Sequence, residues 1–264
     1  MGEAIVITSG KGGVGKTTTS ANIGTALALS GKRVCLVDTD IGLRNLDVVM
    51  GLENRIIYDL VDVINGRCKT HQALIKDKRF ECLYLLPAAQ TVDKTAVQPE
   101  QMKKLINELK QDYDYIIIDC PAGIEQGFKN AVAGADKAIV VTTPEISSVR
   151  DADRIIGLLE KEAIEPPKLV VNRIRNHMMK TGEMLDVDEI ISVLAIDLLG
   201  IVADDDSVIR ASNSGEPIAL DPSSKASLAY RNIARRILGE SVPLQVLDEE
   251  KGVFTKVKKF FGIR

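Results

Sequence analysis

Apolar residues along the chain gather in short, β-branched runs at 4–7, 34–37, 83–86, 115–118, 138–142, 169–171 and 198–202. These runs are continuous, without apolar–polar alternation, which predicts central strands buried on both faces. Between most of them, 17–30, 100–111, 147–162 and 187–194 carry apolar residues at helical spacing, and a last helix is predicted over 223–238, ended by Gly239. Strand alternating with helix implies right-handed crossovers, hence an α/β fold with a doubly wound, mainly parallel sheet flanked by helices. No repeat or low-complexity linker precedes residue 239, so 1–239 is expected to be one domain. Residues 240–250, with Pro243 set against continuous helix and an acidic end, read as a linker.

Composition sharpens this picture. Hydrophobic residues are 45% of the chain and aromatics 4%, with no Trp, so the core must be aliphatic. Four scattered cysteines, with no CxxC pair, and two distant histidines argue against a zinc or disulfide framework. Cys35 and Cys120 fall in or beside apolar runs and read as small buried hydrophobes in a reducing cytoplasm. No run approaches the ~18 apolar residues of a membrane span, and residues 3–8 are strand-like without a signal core, so neither secretion nor integral insertion is expected. Gly2 lacks the Ser or Thr that myristoylation wants where Val6 stands.

The strongest chemical signal is Gly10-Lys11-Gly12-Gly13-Val14-Gly15-Lys16-Thr17, which satisfies G-x-x-x-x-G-K-[ST] directly after a strand and directly before a helix. Glycines let backbone N–H groups surround phosphate oxygens, the helix N-terminus adds positive potential, Lys16 neutralises β and γ charge, and Thr17 suits Mg²⁺. Thr18 follows within the same phosphate-binding segment. Asp38 and Asp40 follow the second strand, and Asp119 ends another; in a doubly wound sheet these strand ends converge on the ligand. Each alone could be a turn or cap residue. Asn172 and Arg173 end a further strand, a place where Asn is common.

Lys11-Gly-Gly-Val-Gly-Lys-Thr-Thr18 resembles the deviant Walker A motif of the ParA/MinD family of P-loop ATPases. Residues 38–47, 119–125, 149–154 and the basic C-terminus are similar to its division-site-selection branch, over essentially the whole chain. The resemblance implies an ATP-dependent homodimer in which Lys11 crosses to the partner's phosphates, as an arginine finger does in trans. It makes Asp119 the Walker B acid near Mg²⁺ or its waters, with Asp38 assisting, and Asp40 the residue that orients attacking water. Pro121 and Gly123 belong to a γ-phosphate sensor loop, Asn172 to the purine edge and Arg173 beside the base. Slow, partner-stimulated ATP hydrolysis is implied, as are recruitment of the division inhibitor MinC, a topological regulator (MinE or a polar-landmark adaptor), and a block on septum formation near the poles. Arg150, Asp151, Asp153 and Arg154 match the partner-binding helix, although spacing alone favours a solvated charged face.

Residues 251–264 differ from everything before them. On a helical wheel Val253, Phe254, Val257, Phe260 and Phe261 fall within an arc of about 120°, with Lys251, Lys256, Lys258 and Lys259 outside it. This is the pattern of an in-plane, membrane-targeting amphipathic helix, the alternative being a last helix docked on the body. The tail holds five cations and no acids, and leaves 29 cations against 37 acids before it, a body charge of −8 inside a total of −3. Anionic phospholipid is therefore the expected surface, which the resemblance implies to be the inner face of the bacterial membrane, and no specific nucleic acid is expected. A ParA-type partitioning ATPase that binds DNA is the alternative, and it would need a basic body. An iron–sulfur reductase would need paired thiolates that the isolated cysteines do not supply, and a mere scaffold would leave the lysines and acids without a task.

Overall fold

Each β-branched run forms a strand: β1 (Glu3–Thr8), β2 (Val34–Asp38), β4 (Leu83–Leu86), β5 (Tyr115–Asp119), β6 (Lys137–Thr142), β7 (Lys168–Ile174) and β8 (Leu198–Ala203). A two-residue strand, β3 (Ile75–Lys76), is added at the edge. The computed structural model describes residues 1–93, 96–162 and 164–244. The predicted tail at 251–264 and most of the 240–250 linker lie outside the described residues.

The eight strands make one sheet in the order β3-β4-β2-β5-β1-β6-β7-β8. Every pairing is parallel except β3 with β4. β1 lies between β5 and β6, so the chain winds to one side of it and later to the other. The crevice for ligands therefore opens at the carboxyl ends of β1, β2 and β5.

The strands are buried on both faces, as their continuous apolar runs require. Alternate residues supply two cores. Ala4, Val6, Val37, Ile116 and Ile118 face α3 (Leu60–Ile64), α5 (Pro99–Asp112), α6 (Gln126–Val132), α7 (Ile146–Leu159) and α9 (Val187–Leu194). Ile5, Ile7, Leu36 and Ile117 face α1 (Lys16–Leu29), α2 (Leu46–Met50) and α11 (Lys225–Ile237). Aliphatic side chains dominate both, with Tyr113 and Phe128 in the first and Tyr230 in the second, and Cys35 and Cys120 are buried in the first.

One expectation needs correction. The helix predicted over 147–162 ends at Leu159 and tightens into a 3-10 turn at Glu160–Glu162, none of which is buried. The short helices α2, α4 (Thr70–Ala73), α6 and α8 (Asn176–Lys180) carry too few turns to show a period, and α10 (Asp206–Asn213), as long as the predicted α9, was not expected. After α11 the first connector residues are fastened to the body: Arg236 donates from Nη1 to the Leu199 carbonyl (2.9 Å), from Nε to Val242 (3.0 Å) and from Nη2 to Pro243 (2.8 Å).

Candidate nucleotide site

The glycine-rich loop turns from β1 into α1 through left-handed backbone at Gly13 (φ 79°) and Gly15 (φ 97°). A β-carbon on Gly15 would sit 2.4 Å from Asn172 Nδ2, so glycine is needed there on two grounds. Asn172, at the end of β7, donates from that nitrogen to the Val14 carbonyl (2.9 Å) and so ties the loop to a strand two places away.

The two lysines of the loop occupy different surroundings. Lys16 is buried; its Nζ donates to Ser9 Oγ (2.9 Å) and curls back toward the Lys11 carbonyl (3.4 Å). Burial lowers its pKa, opposed by the charge of Asp119. Lys11 is exposed and leaves the loop, donating to Ser147 Oγ on α7 (3.2 Å). One turn further along α7, a β-carbon on Gly10 would lie 2.1 Å from the Asp151 carbonyl oxygen. The loop is thus packed backbone against backbone on the helix whose outer face carries Arg150, Asp153 and Arg154. Asp151 is half-buried and faces Arg154 at 3.6 Å.

Asp38 and Asp119 are register partners at the ends of β2 and β5, and both are buried. Asp38 accepts from the backbone N–H of Asp40 (2.9 Å) and of Leu46 (3.1 Å); Asp119 accepts from Ser20 Oγ (2.8 Å). Thr39 bridges the same strand ends through Oγ1 to the Asp119 carbonyl (2.6 Å). Burial holds both carboxyls above the ordinary carboxylate range, and for Asp38 the adjacent Asp119 charge adds to it. Two buried acids side by side, next to Thr17 and with Lys16 as the near cation, fit a divalent ion that would relieve their repulsion. Among the described residues no group of three or more His, Cys, Asp or Glu forms a metal cage. A Mg²⁺ held with phosphate oxygens and water does not need one. Asp40 is half-buried beside this pair, Pro121 is buried, and Gly123 has a left-handed backbone (φ 97°) in the loop after β5.

On the other side of the loop lies a cavity of about 190 Å³ lined by Gly15, Thr18, Asn172, Arg173 and the acidic turn Asp204-Asp205-Asp206 that opens α10. Arg173 is exposed, at a left-handed φ of 57°. Arg175 pairs with Asp204 (2.6 Å), and Asp205 caps α10 by accepting from the Ser207 N–H (2.8 Å). The predicted loop, strand-end acids and Asn172–Arg173 pair therefore converge at one end of the sheet, and Arg150–Arg154 border them on α7. Ser9, Ser20 and the Asp204–Asp206 turn went unrecognised in sequence. The turn had a visible signal, since acids after β8 obey the same strand-end rule as Asp38 and Asp119.

A glycine loop between a central parallel strand and a helix, with a buried lysine, a second outward lysine and paired strand-end acids, defines a P-loop nucleotide-binding protein of the deviant Walker A class. A family model described as "AAA domain" matches residues 2–165. The septum site-determining protein MinD of Bacillus subtilis (strain 168) is 79% identical over 267 residues, covering 100% of both chains. The MinC:MinD cell division protein complex of Aquifex aeolicus superposes with a TM-score of 0.87 at 52% identity, over 92% of this chain and 99% of that one. The septum site-determining protein MinD of Pyrococcus horikoshii OT3, complexed with Mg-ADP, gives 0.81 at 32% identity, over 90% and 96%. The chain belongs to the MinD family of septum site-determining proteins, within the ParA/MinD P-loop ATPases.

Proposed function

We propose that this chain is an ATPase that dimerises on ATP, associates with the inner face of the cell membrane, recruits MinC and so blocks septum formation near the poles. The observation that carries this reading is the division of labour between the two loop lysines: Lys16 turns inward and Lys11 outward. Lys16, the loop N–H groups and Thr17–Thr18 bind the triphosphate, and the Asn172–Arg173 cavity takes the base. When bound, Mg²⁺ near Thr17, Asp38 and Asp119 supplies neutralisation of phosphate charge. Asp40 orients the water that attacks the γ-phosphate, giving ADP and phosphate. Pro121 and Gly123 let the loop after β5 respond to that phosphate. Lys11 serves the site of a second copy. Leu43 and Ile124 on loops, and Ile146 at the start of α7, are exposed at this end of the sheet, which supports a second copy seated over it.

MinC recruitment is supported by the Aquifex relative, solved as a complex with MinC. Arg150, Asp151, Asp153 and Arg154 are its proposed surface, shared with a topological regulator such as MinE or a polar-landmark adaptor. The membrane step rests on residues 251–264. One short tail pairs up to ~1 kcal/mol per cation and ~1.5–3 kcal/mol per large apolar side chain against the ordering of a marginal helix. Two tails side by side gain about 10² to 10⁴ in avidity, so dimerisation becomes the switch.

Liposome sedimentation of the full chain and of a chain ending at Asp248, each with ATP or ADP, tests this. Retention should require both ATP and the tail. Equal retention with ADP overturns the dimer switch, and retention of the shortened chain overturns the tail assignment. Tight, salt-sensitive binding to DNA in place of lipid would favour a partitioning role.

A further inference from the structure

Two short helices reach the nucleotide site from opposite sides. The N-terminus of α2 is held at the acid pair, where the Leu46 N–H meets Asp38. The N-terminus of α10 forms a wall of the base cavity through Asp206, Val208 and Ile209. Their far ends meet. Gly51, which ends α2, and Gly215, two residues past α10, cross so closely that a β-carbon on Gly215 would lie 2.5 Å from Gly51 Cα, and both have left-handed backbone (φ 65° and 66°).

One guanidinium closes this junction. Arg79, on the turn between β3 and β4, donates from Nη1 to the Gly215 carbonyl (2.9 Å) and from Nη2 to the Met50 carbonyl (2.6 Å). Its Nε and Nη2 also fork onto Asp77 (3.0 and 2.7 Å), whose side chain is 2% exposed. The buried carboxylate fixes the plane of the guanidinium, and its remaining N–H groups reach the chain ends of both helices. A lysine ammonium cannot satisfy that fork.

We infer that Arg79 is a positioning residue for nucleotide binding: it fixes the span between α2, at the phosphate and metal side, and α10, at the base side, so that occupancy of one is felt at the other. The inference rests on the assignment of the Asn172–Arg173 cavity to the base. Occupying the phosphate loop should order the Asp38–Leu46 segment, and the Arg79 junction should carry that order through α2 into α10.

Hydrogen exchange and calorimetry of the full chain with Mg-tripolyphosphate and with MgATP test it. Tripolyphosphate has no base, yet it should slow exchange in 206–213 as well as in 10–18. In Arg79→Lys the protection of 10–18 should remain while that of 206–213 is lost, and the ATP-to-tripolyphosphate affinity ratio should fall by about fivefold or more. Unchanged exchange at 206–213 in the unmodified chain with tripolyphosphate overturns the inference without recourse to any variant. So does a folded Arg79→Lys with the original ratio. If MgATP protects 10–18 but leaves 172–175 and 203–209 untouched, the base-cavity assignment itself fails.

Discussion

Lys11 and Lys16 share a loop and a charge, yet burial separates what their removal should do. Lys16→Ala takes away the buried lysine turned into the loop, and MgATP binding measured by calorimetry should fall by about 10²-fold or more. If, as proposed, Lys11 serves the site of a second copy, Lys11→Ala should leave binding to the single chain nearly intact while hydrolysis falls by about 10³-fold. Undiminished phosphate release in either variant contradicts the assignment. The acid pair carries a pH signature. Asp38 and Asp119 both hold a proton more tightly in the folded chain than in the unfolded one. The stability they contribute is therefore full below the ordinary carboxylate pKa of about 4 and is lost as pH rises through their raised values. Without Mg²⁺ or nucleotide, the calorimetric Tm of the chain should fall between pH 5 and pH 8 more steeply than that of Asp38→Asn. These residues were recognisable one at a time, as strand-end acids. That Asp38 and Asp119 are register partners was not, because the pairing depends on β5 inserting beside β2 from some eighty positions away.

At the scale of elements, strands and long helices were readable because burial on two faces or on one stripe imposes a period over many residues. β3 and α2 are too short for a period to accumulate, and with α10 they are the pieces that meet around Arg79. Helix α7 illustrates the other limit. Its charged outer face looked like ordinary solvated surface, while the informative contact is on its inner side, where Gly10 lies against the Asp151 backbone. Gly10→Ala should push loop and helix apart, lower stability by about 1–3 kcal/mol in urea unfolding, and weaken MinC capture in pull-down. Full stability with intact MinC binding would show that the contact tolerates a methyl group. Arg236 plays a comparable part at the opposite end of the sheet, where three backbone carbonyls depend on one guanidinium. Arg236→Ala should cost about 2–3 kcal/mol of stability by the same measurement, with ATP affinity unchanged.

For the whole molecule, charge is the property that composition hides most. A body of −8 carrying a tail of +5 should be drawn to anionic vesicles and not to DNA, and vesicle retention should weaken between 0.05 and 0.5 M salt in the sense, if not the steepness, of electrostatic screening (about 14 Å of Debye length shrinking to about 4 Å). Retention that is indifferent to salt and to lipid charge would remove the basic residues from the explanation. The fold class, the phosphate loop and the partition between an aliphatic acidic body and a cationic tail are legible in the order of residues, because periodicity, glycine spacing and local charge are properties of neighbours along the chain. It takes the folded chain to bring Asn172 against the loop at Val14, Gly10 and Lys11 against α7, and Arg79 to the ends of α2 and α10. Those contacts join residues tens to more than a hundred positions apart, and they are set by how a parallel sheet orders its strands and packs helices over its two faces.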